Sequence, residues 1–318
     1  MLFHTDNKPI RIGTDCSGIE APIIALEQLK IPFTHEFSSE IDQHCISTIK
    51  ANFNPKIIFG NMIQRKLKDI PNIDMYVCGF PCQPFSVAGY RQGKLDPRGT
   101  IFYECLKVIR YKKPIIFLLE NVKGLLSIDN GNTFKEMIYL LENIKLNDKP
   151  IYNIYWKVLN TADYGIPQSR KRLFMIGIKR NKQINNFEWP IPMECPSLHN
   201  FVDWNDNSKN ELPAYFYASK MDEIINPNSI FINIGYKKYS HNNADKICPC
   251  LTTNTRHFYC LPLKRFMNIN EYLKIQGFPT NYKINVSKYQ FQKQIGNSMS
   301  VNVLIYLFKN IFQTIQSI

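Results

Sequence analysis

The sequence predicts an α/β fold: a nucleotide-type sheet sandwiched between helices, joined to a second, smaller, irregular β-containing domain. Three observations predict it. The chain opens with the apolar run I-R-I-G-T-D, a glycine turn at residues 16–20 and the helix-spaced stretch A-P-I-I-A-L-E-Q-L. A strand, a glycine turn and a helix form the first unit of a nucleotide-type sheet. Short apolar runs then alternate with helical periodicity as far as Ile178. After Arg180 the texture changes to Asn, Lys, Pro and isolated aromatics, until a long apolar helix closes the chain. The first domain is therefore discontinuous, residues 1–180 with 263–318, around a second domain at 181–262.

Composition bounds the partners. The chain has 318 residues, 44% of them hydrophobic, enough for one large core and a smaller one. Its 39 Lys and Arg against 26 Asp and Glu leave a net charge of +13, which favours a polyanionic partner. No apolar run reaches the 18 residues a membrane-spanning helix needs, and residues 1–9 lack a signal peptide's apolar core. An intracellular protein is expected, cytoplasmic or beside the nucleoid in a bacterial host. Nine cysteines without staple-like spacing, several in apolar runs, read as reduced thiols.

Taken in order, F-T-H-E-F-S-S is a second strand ending at Glu40, D-Q-H-C-I-S-T-I-K-A-N-F a helix and K-I-I-F-G a third strand. An acid at the end of a second strand is where such folds hold a ribose hydroxyl, although it also suits a solvated acid starting a helix. The run Met75 to Cys78 has the length of a buried parallel strand, closed by Gly79. Beyond it Pro81 and Pro84 flank Cys82 and stiffen its loop, so the thiol suits covalent attack on an electron-poor carbon once ionised. The loop runs on to Thr100 with Gly89, Gly93 and Gly99 for freedom and Arg91, Lys94 and Arg98 for phosphate.

I-F-Y-E-C-L-K-V-I-R-Y then reads as a helix leading to the strand P-I-I-F-L-L, which delivers Glu120 at its end, with Asn121 and Val122 fixing the turn. A carboxyl group there can accept from an exocyclic amine, or donate to a ring nitrogen if protonated. A turn and a helix follow, capped near Asn132 or Thr133, then the strands I-Y-N-I-Y-W-K-V-L-N and L-F-M-I-G-I. The polar hairpin between those strands presents Arg170 and Arg172, whose planar forks suit phosphate or a base. In residues 181–262, Tyr236, Lys237, Arg256 and their neighbours form basic and aromatic clusters suited to nucleic acid. Cys248, Cys250, His257 and Cys260 have ligand chemistry. C-P-C, however, has one intervening residue where compact zinc sites use two to four, so they read as structural thiols and no metal is expected. Finally M-N-I-N-E-Y-L-K-I-Q-G-F-P is a helix capped by Asn268 or Asn270, and G-N-S at residues 296–298 is a glycine turn feeding the last helix.

Seven stretches fall in one order: C-S-G-I-E, the Ser39-Glu40 pair, G-F-P-C-Q-P-F-S, L-E-N-V, Q-S-R-K-R, Q-G-F-P and G-N-S. In that order and spacing the chain resembles the cytosine-C5 DNA methyltransferases, most of all the small bacterial restriction-modification type. The resemblance covers about residues 10–185 and 262–310. It implies a Rossmann-like methyltransferase sheet that uses S-adenosylmethionine, releases S-adenosylhomocysteine and acts on double-stranded DNA. The enzyme would be a monomer, with a companion restriction endonuclease acting at the same site. Cys82 would be the nucleophile toward a flipped cytosine, with Glu120, Arg170 and Arg172 around the base. Asp15, Cys16, Ser17, Gly18, Ile19 and Glu20, then Glu40, Ile41, Asn61, Met62, Gly79, Pro81, Asn297 and Ser298, would bind the methyl donor. Ser86, Arg91, Arg98, Gln168, Tyr236, Lys237, Thr252, Thr253 and Arg256 would meet DNA, the middle segment serving as a target recognition domain. The sequence departs from the family's usual form at Cys16 (an aromatic), Glu20 (a glycine) and Asn61 (an aspartate), all on the cofactor side. Two other readings follow from the same residues: a transfer-RNA cytosine-C5 methyltransferase, and a catalytically silent DNA-binding homologue.

Overall fold

The structure is a computed structural model and describes residues 8–81, 101–218, 226–235, 246–254 and 257–316. The chain divides into two compact units, residues 1–159 with 171–190 and 305–318, and residues 160–170 with 191–304.

The first unit is built on a seven-stranded sheet. Its strands are β1 Ile10–Asp15, β2 Phe33–Ser39, β3 Ile57–Phe59, β4 Met75–Gly79, β5 Ile116–Val122, β8 Tyr152–Asn160 and β9 Lys171–Lys179, in the order β3-β2-β1-β4-β5-β9-β8. A separate two-stranded ribbon pairs β6 Lys145–Leu146 with β7 Lys149–Pro150. The five strands from β3 to β5 run parallel, and β9 joins β5 antiparallel. From β1 the chain steps outward to β2 and β3, then returns to the other side of β1 with β4. That reversal opens a crevice beyond the carboxyl ends of β1 and β4, the place where such sheets hold ligands.

Both faces of the middle strands are covered. Ile116, Phe117, Leu118 and Leu119 are consecutive and each inaccessible, which in a strand of alternating side chains requires packing on either face. Helix α3 Ile101–Lys112 supplies part of that cover with Phe102, Cys105, Leu106 and Ile109, spaced three and four apart as one helical face. Burial of each large apolar side chain contributes about 1.5–3 kcal/mol. Helices α1 Ala21–Gln28, α2 Gln43–Asn52 and α4 Asn132–Glu142 complete the set, and Asp42 caps α2 through His44 N. At α4 neither expected side-chain cap is used: Gly131 precedes the helix with φ 84 and Asn132 is already its first residue. The last stretch of the helix Val301–Thr314 belongs to this unit, where Ile184 N donates to Thr314 O at 2.9 Å and Asn310 Nδ2 to Glu188 O at 3.0 Å.

The second unit holds a three-stranded antiparallel sheet, β10 Phe231–Asn233, β11 Phe258–Cys260 and β12 Arg265–Phe266, with the helices Ala214–Ala218, Ile269–Gln276 and Lys288–Asn297. One apolar cluster joins Phe216, Ile232, Ile234 and Tyr259, and Leu251, Phe258, Met267, Leu273, Ile275, Phe291 and Ile295 are buried as well. Polar packing adds to this core. Arg265 is inaccessible and pairs with both oxygens of Glu271 at 2.7 and 2.9 Å, while also donating to the carbonyls of Asp203 and Asp206. Glu271 in turn closes a capping box with Asn268, so Asn268 rather than Asn270 starts that helix.

This unit is wider than the expected segment 181–262. It takes in the hairpin at 160–170 through Thr161–Ser300 (2.7 Å) and Asn302–Tyr164 (2.8 Å), and both helices after residue 263. Helical periodicity shows that a face is buried but not against which body. Gly296 also differs from its reading as a turn. It lies inside the helix Lys288–Asn297, and a Cβ there would stand 1.9 Å from Thr252 O, so close packing is what excludes a side chain. The break comes after it, between Asn297 and Val301.

Candidate active site

In the first unit, the strand ends at the switch point carry the expected cofactor residues. Of residues 15–20, Cys16 and Gly18 are partly accessible and the others buried. Gly18, at φ 56, donates its N–H to Glu40 Oε2 at 2.8 Å, and the space where a Cβ would stand is open. Glu40 Oε1 accepts from Ile41 N (2.8 Å) and Asp42 N (3.0 Å). Three amides thus hold this carboxylate, and Oε2 keeps lone-pair capacity for a hydroxyl. Beside it Ile41 is 71% exposed, an apolar platform at a sheet edge. Asn61 Oδ1 caps Ile63 N at 3.0 Å and retains a second lone pair. An open glycine turn, a fixed carboxylate, an exposed aliphatic and an amide oxygen suit a nucleoside.

Other expected contacts face inward. Glu20 is fully buried, accepting from the hydroxyls of Thr14 and Ser38 at 2.6 Å each, with His35 Nε2 at 3.4 Å. Its φ of 61 explains why a glycine serves at this position, and the carboxylate staple offsets the strain of a side chain there. Asp15 is occupied by Arg65 and by the Tyr76 hydroxyl, Met62 packs into the core, and Ile19 and the Ser17 hydroxyl lie inside. These side chains are all held among neighbours of the same unit. Cys78 lies under the turn, with Cys105 Sγ at 3.4 Å, and burial holds the Cys78 thiol well above its ordinary pKa.

Gly79 ends β4, with Pro81 two residues beyond it, and strand register sets Gly79 directly opposite Glu120 of β5. The strand β5 runs on to Val122, so Glu120 and Asn121 sit in the ladder and not in a turn after it. Antiparallel pairing brings β9 alongside, with Val122 opposite Arg172, and Arg172 Nε lies 3.2 Å from Glu120 Oε1. Their side chains are 18% and 11% exposed, sheltered enough for a strong ion pair yet reachable. The adjacent Asn121 donates from Nδ2 to Phe80 O at 2.9 Å, holding the backbone two residues before Cys82. Cys82 itself, with Ser86, Arg91, Arg98, Tyr236, Lys237 and Arg256, lies outside the described residues.

Within the second unit the expected contacts divide. Thr252 and Thr253 are exposed, as is Asn297. Gln168 is inaccessible: its Nε2 donates to Ile275 O and Gln276 Oε1, and its Oε1 accepts from Leu251 N. Arg170 is 2% exposed, with its guanidinium on Leu251 O at 2.7 Å and Ser298 O at 2.6 Å. Gln168 and Arg170 are thus held inside the unit, into which the hairpin that carries them is folded. Ser298 is likewise buried, its carbonyl taken by Arg170 and Gln276. Arg65, Tyr76 and the Asn121 contact to Phe80 were not foreseen. An isolated arginine among K and Q residues carries no local signal of burial.

Comparison with known proteins agrees with this geometry. The family model described as C-5 cytosine-specific DNA methylase matches residues 15–313. Type II methyltransferase M.HaeII of Haemophilus aegyptius is 37% identical over 84% of this chain and 82% of its own length. Type II methyltransferase M.Bsp6I of Bacillus sp. is 31% identical over 96% and 99%. The solved structure of the S. pombe Dnmt2 methyltransferase has the same fold, with a TM-score of 0.73 at 18% identity over 96% of this chain and 98% of that one. The chain thus belongs to the C-5 cytosine-specific DNA methylases, as an S-adenosylmethionine-dependent DNA cytosine-C5 methyltransferase related to the bacterial type II enzymes.

Proposed function

We propose that the enzyme methylates a cytosine flipped from duplex DNA through a covalent bond between Cys82 and C6. The register that sets Glu120 against Gly79, three residues before Cys82, with Arg172 on the Glu120 carboxylate, is the observation that carries this reading. A cytosine ring is a poor nucleophile at C5. Addition of the Cys82 thiolate to C6 makes C5 enamine-like, and Glu120 orients the base through its exocyclic amine and N3. When bound, S-adenosylmethionine would supply an electrophilic methyl group for C5 and leave as S-adenosylhomocysteine. Loss of the C5 proton and departure of the thiolate then restore the aromatic ring and free Cys82. Arg172 keeps Glu120 aimed and offers remaining donors to the base.

Glu40 would hold the donor's ribose, Ile41 and Asn61 its adenine, and the turn at Gly18 its remaining polar portion. Asn297 would complete this set. Exposed Thr252 and Thr253, with the basic residues around Lys237 and Arg256, would face DNA, so binding weakens steeply with salt. The enzyme would work as a monomer on bacterial DNA, alongside an endonuclease of the same specificity.

The test is to incubate the protein with labelled S-adenosylmethionine and either duplex DNA or transfer RNA and map the modified base. 5-Methylcytosine in DNA is expected; transfer to RNA alone, or to adenine, rejects the reading. Cys82→Ser should abolish turnover while DNA binding survives.

A further inference from the structure

We infer that Arg65 is a positioning residue for the methyl donor, bolting the adenine side of the crevice to the end of β1. The inference rests on the donor site proposed above. Asp15 is the last residue of β1, immediately before the turn that carries Gly18, and its carboxylate is inaccessible. Arg65 meets it with both terminal nitrogens, Nη1 on Oδ1 at 2.6 Å and Nη2 on Oδ2. The Tyr76 hydroxyl of β4 donates to Oδ2 at 2.6 Å. The arginine side chain is only 5% exposed, and its guanidinium lies 5.0 Å from the Phe37 ring centre and 5.3 Å from that of Phe59. A charge held this deeply persists because the bidentate pair and the aromatic faces replace its water.

What the pair fixes is the segment after β3. That segment leaves the sheet at Gly60, whose carbonyl accepts from Ser39 Oγ at 3.0 Å, and turns at Asn61, whose carbonyl accepts from Gln64 N at 3.0 Å. Arg65 follows four residues after Asn61, so one buried carboxylate anchors both the turn at residues 16–20 and the segment that presents Asn61. Removing the guanidinium leaves Asp15 buried with Tyr76 alone and frees the segment to shift. Glu120 and Arg172 sit on β5 and β9, which contribute no side chain to this bolt, so the chemical step is spared. Arg65 therefore acts on donor binding through Asn61 and the turn, and not on the reacting atoms.

The test compares wild type with Arg65→Met and Arg65→Lys, measuring KM for S-adenosylmethionine, kcat at saturating donor, and calorimetric Kd for S-adenosylhomocysteine and for adenosine. For Arg65→Met, KM and both Kd values should rise together by about 10- to 100-fold, with kcat within about threefold. Arg65→Lys should recover part of the loss, since it restores the charge without the fork. Unchanged KM and Kd in a folded Met variant, or a fall in kcat at constant KM, overturns the inference. If the Met variant does not fold, the neutral pair Arg65→Gln with Asp15→Asn carries the test: weaker adenosine binding supports the bolt and wild-type affinity refutes it. A wild-type protein that binds no S-adenosylhomocysteine overturns the donor reading and this inference with it, whereas wild-type binding with unaffected variants overturns this inference alone.

Discussion

The two units use the same residue types in opposite ways. At the switch point of the first, Glu40 and Glu120 are held by neighbours yet keep some exposure, and the space beside Gly18 is open. In the second, Gln168, Arg170, Arg265 and Glu271 spend their hydrogen bonds on carbonyls and on one another. The motif Q-S-R-K-R is divided by this difference. Arg170 ends the hairpin that belongs to the second unit, and Arg172, two residues on, lies in β9 of the first. In the first unit these polar side chains keep some exposure; in the second they form an internal frame within the buried body.

The contrast predicts that variants at the sheet end lose rate and keep stability, whereas variants in the frame do the reverse. The largest effect is expected for Glu120→Gln, which should lower kcat by about 10²- to 10⁴-fold with little change in melting temperature. A Glu120→Gln enzyme of full activity would break the contrast at its strongest point. Glu271→Gln should cost about 3 kcal/mol, because it removes the buried carboxylate that pairs with Arg265 and leaves only Asp206 Oδ2, 3.4 Å away, as its counter-charge; denaturant unfolding measures it. Gly296→Ala should destabilise by about 1–3 kcal/mol, since the methyl group meets a backbone oxygen. Melting at wild-type temperature would show that the helix can move away from Thr252.

The smallest effect concerns pH. The Asn268 side chain, and then Ser208, hold the Asp206 carboxyl down to about 2. Its folded pKa is below its unfolded value, so its contribution is present above the ordinary carboxylate range and lost as pH falls from about 4 toward 2. Asp206 is partly solvated, which limits the contribution to less than about 1 kcal/mol. An Asp206→Asn variant should flatten the acid limb of stability by that amount.

Much of the first unit was legible because its elements repeat two plain signals. Apolar runs of strand length alternate with three-and-four spacing, and turns follow at Gly18 and Gly79. The expected chemistry rests on a rare local pattern, the proline-flanked Cys82, which lies outside the described residues. Burial direction was not legible. Nothing in Q-S-R-K-R distinguishes the arginine that braces a hairpin from the one that meets Glu120, because the distinction lies in Leu251 and Ser298, some 80 and 128 residues away in the chain. Glu20 was similarly opaque: its partners Thr14, Ser38 and His35 are ordinary strand residues until β1 and β2 pair.

The threading of the chain between the units has a consequence for synthesis. β9 and the segment 305–314 both belong to the first unit, and the amides of Ile184 and Asn185 wait for the carbonyl of Thr314. While the ribosome is still making the second unit, the strands β1 to β5 are already outside with one flank of their body missing. The body that carries Glu120 therefore receives its last segment only after the intervening 114 residues at 191–304 have emerged, and a chain stalled before Ile305 lacks it. During that interval the first unit lacks its last segment, and such an unfinished body is a target for holding chaperones.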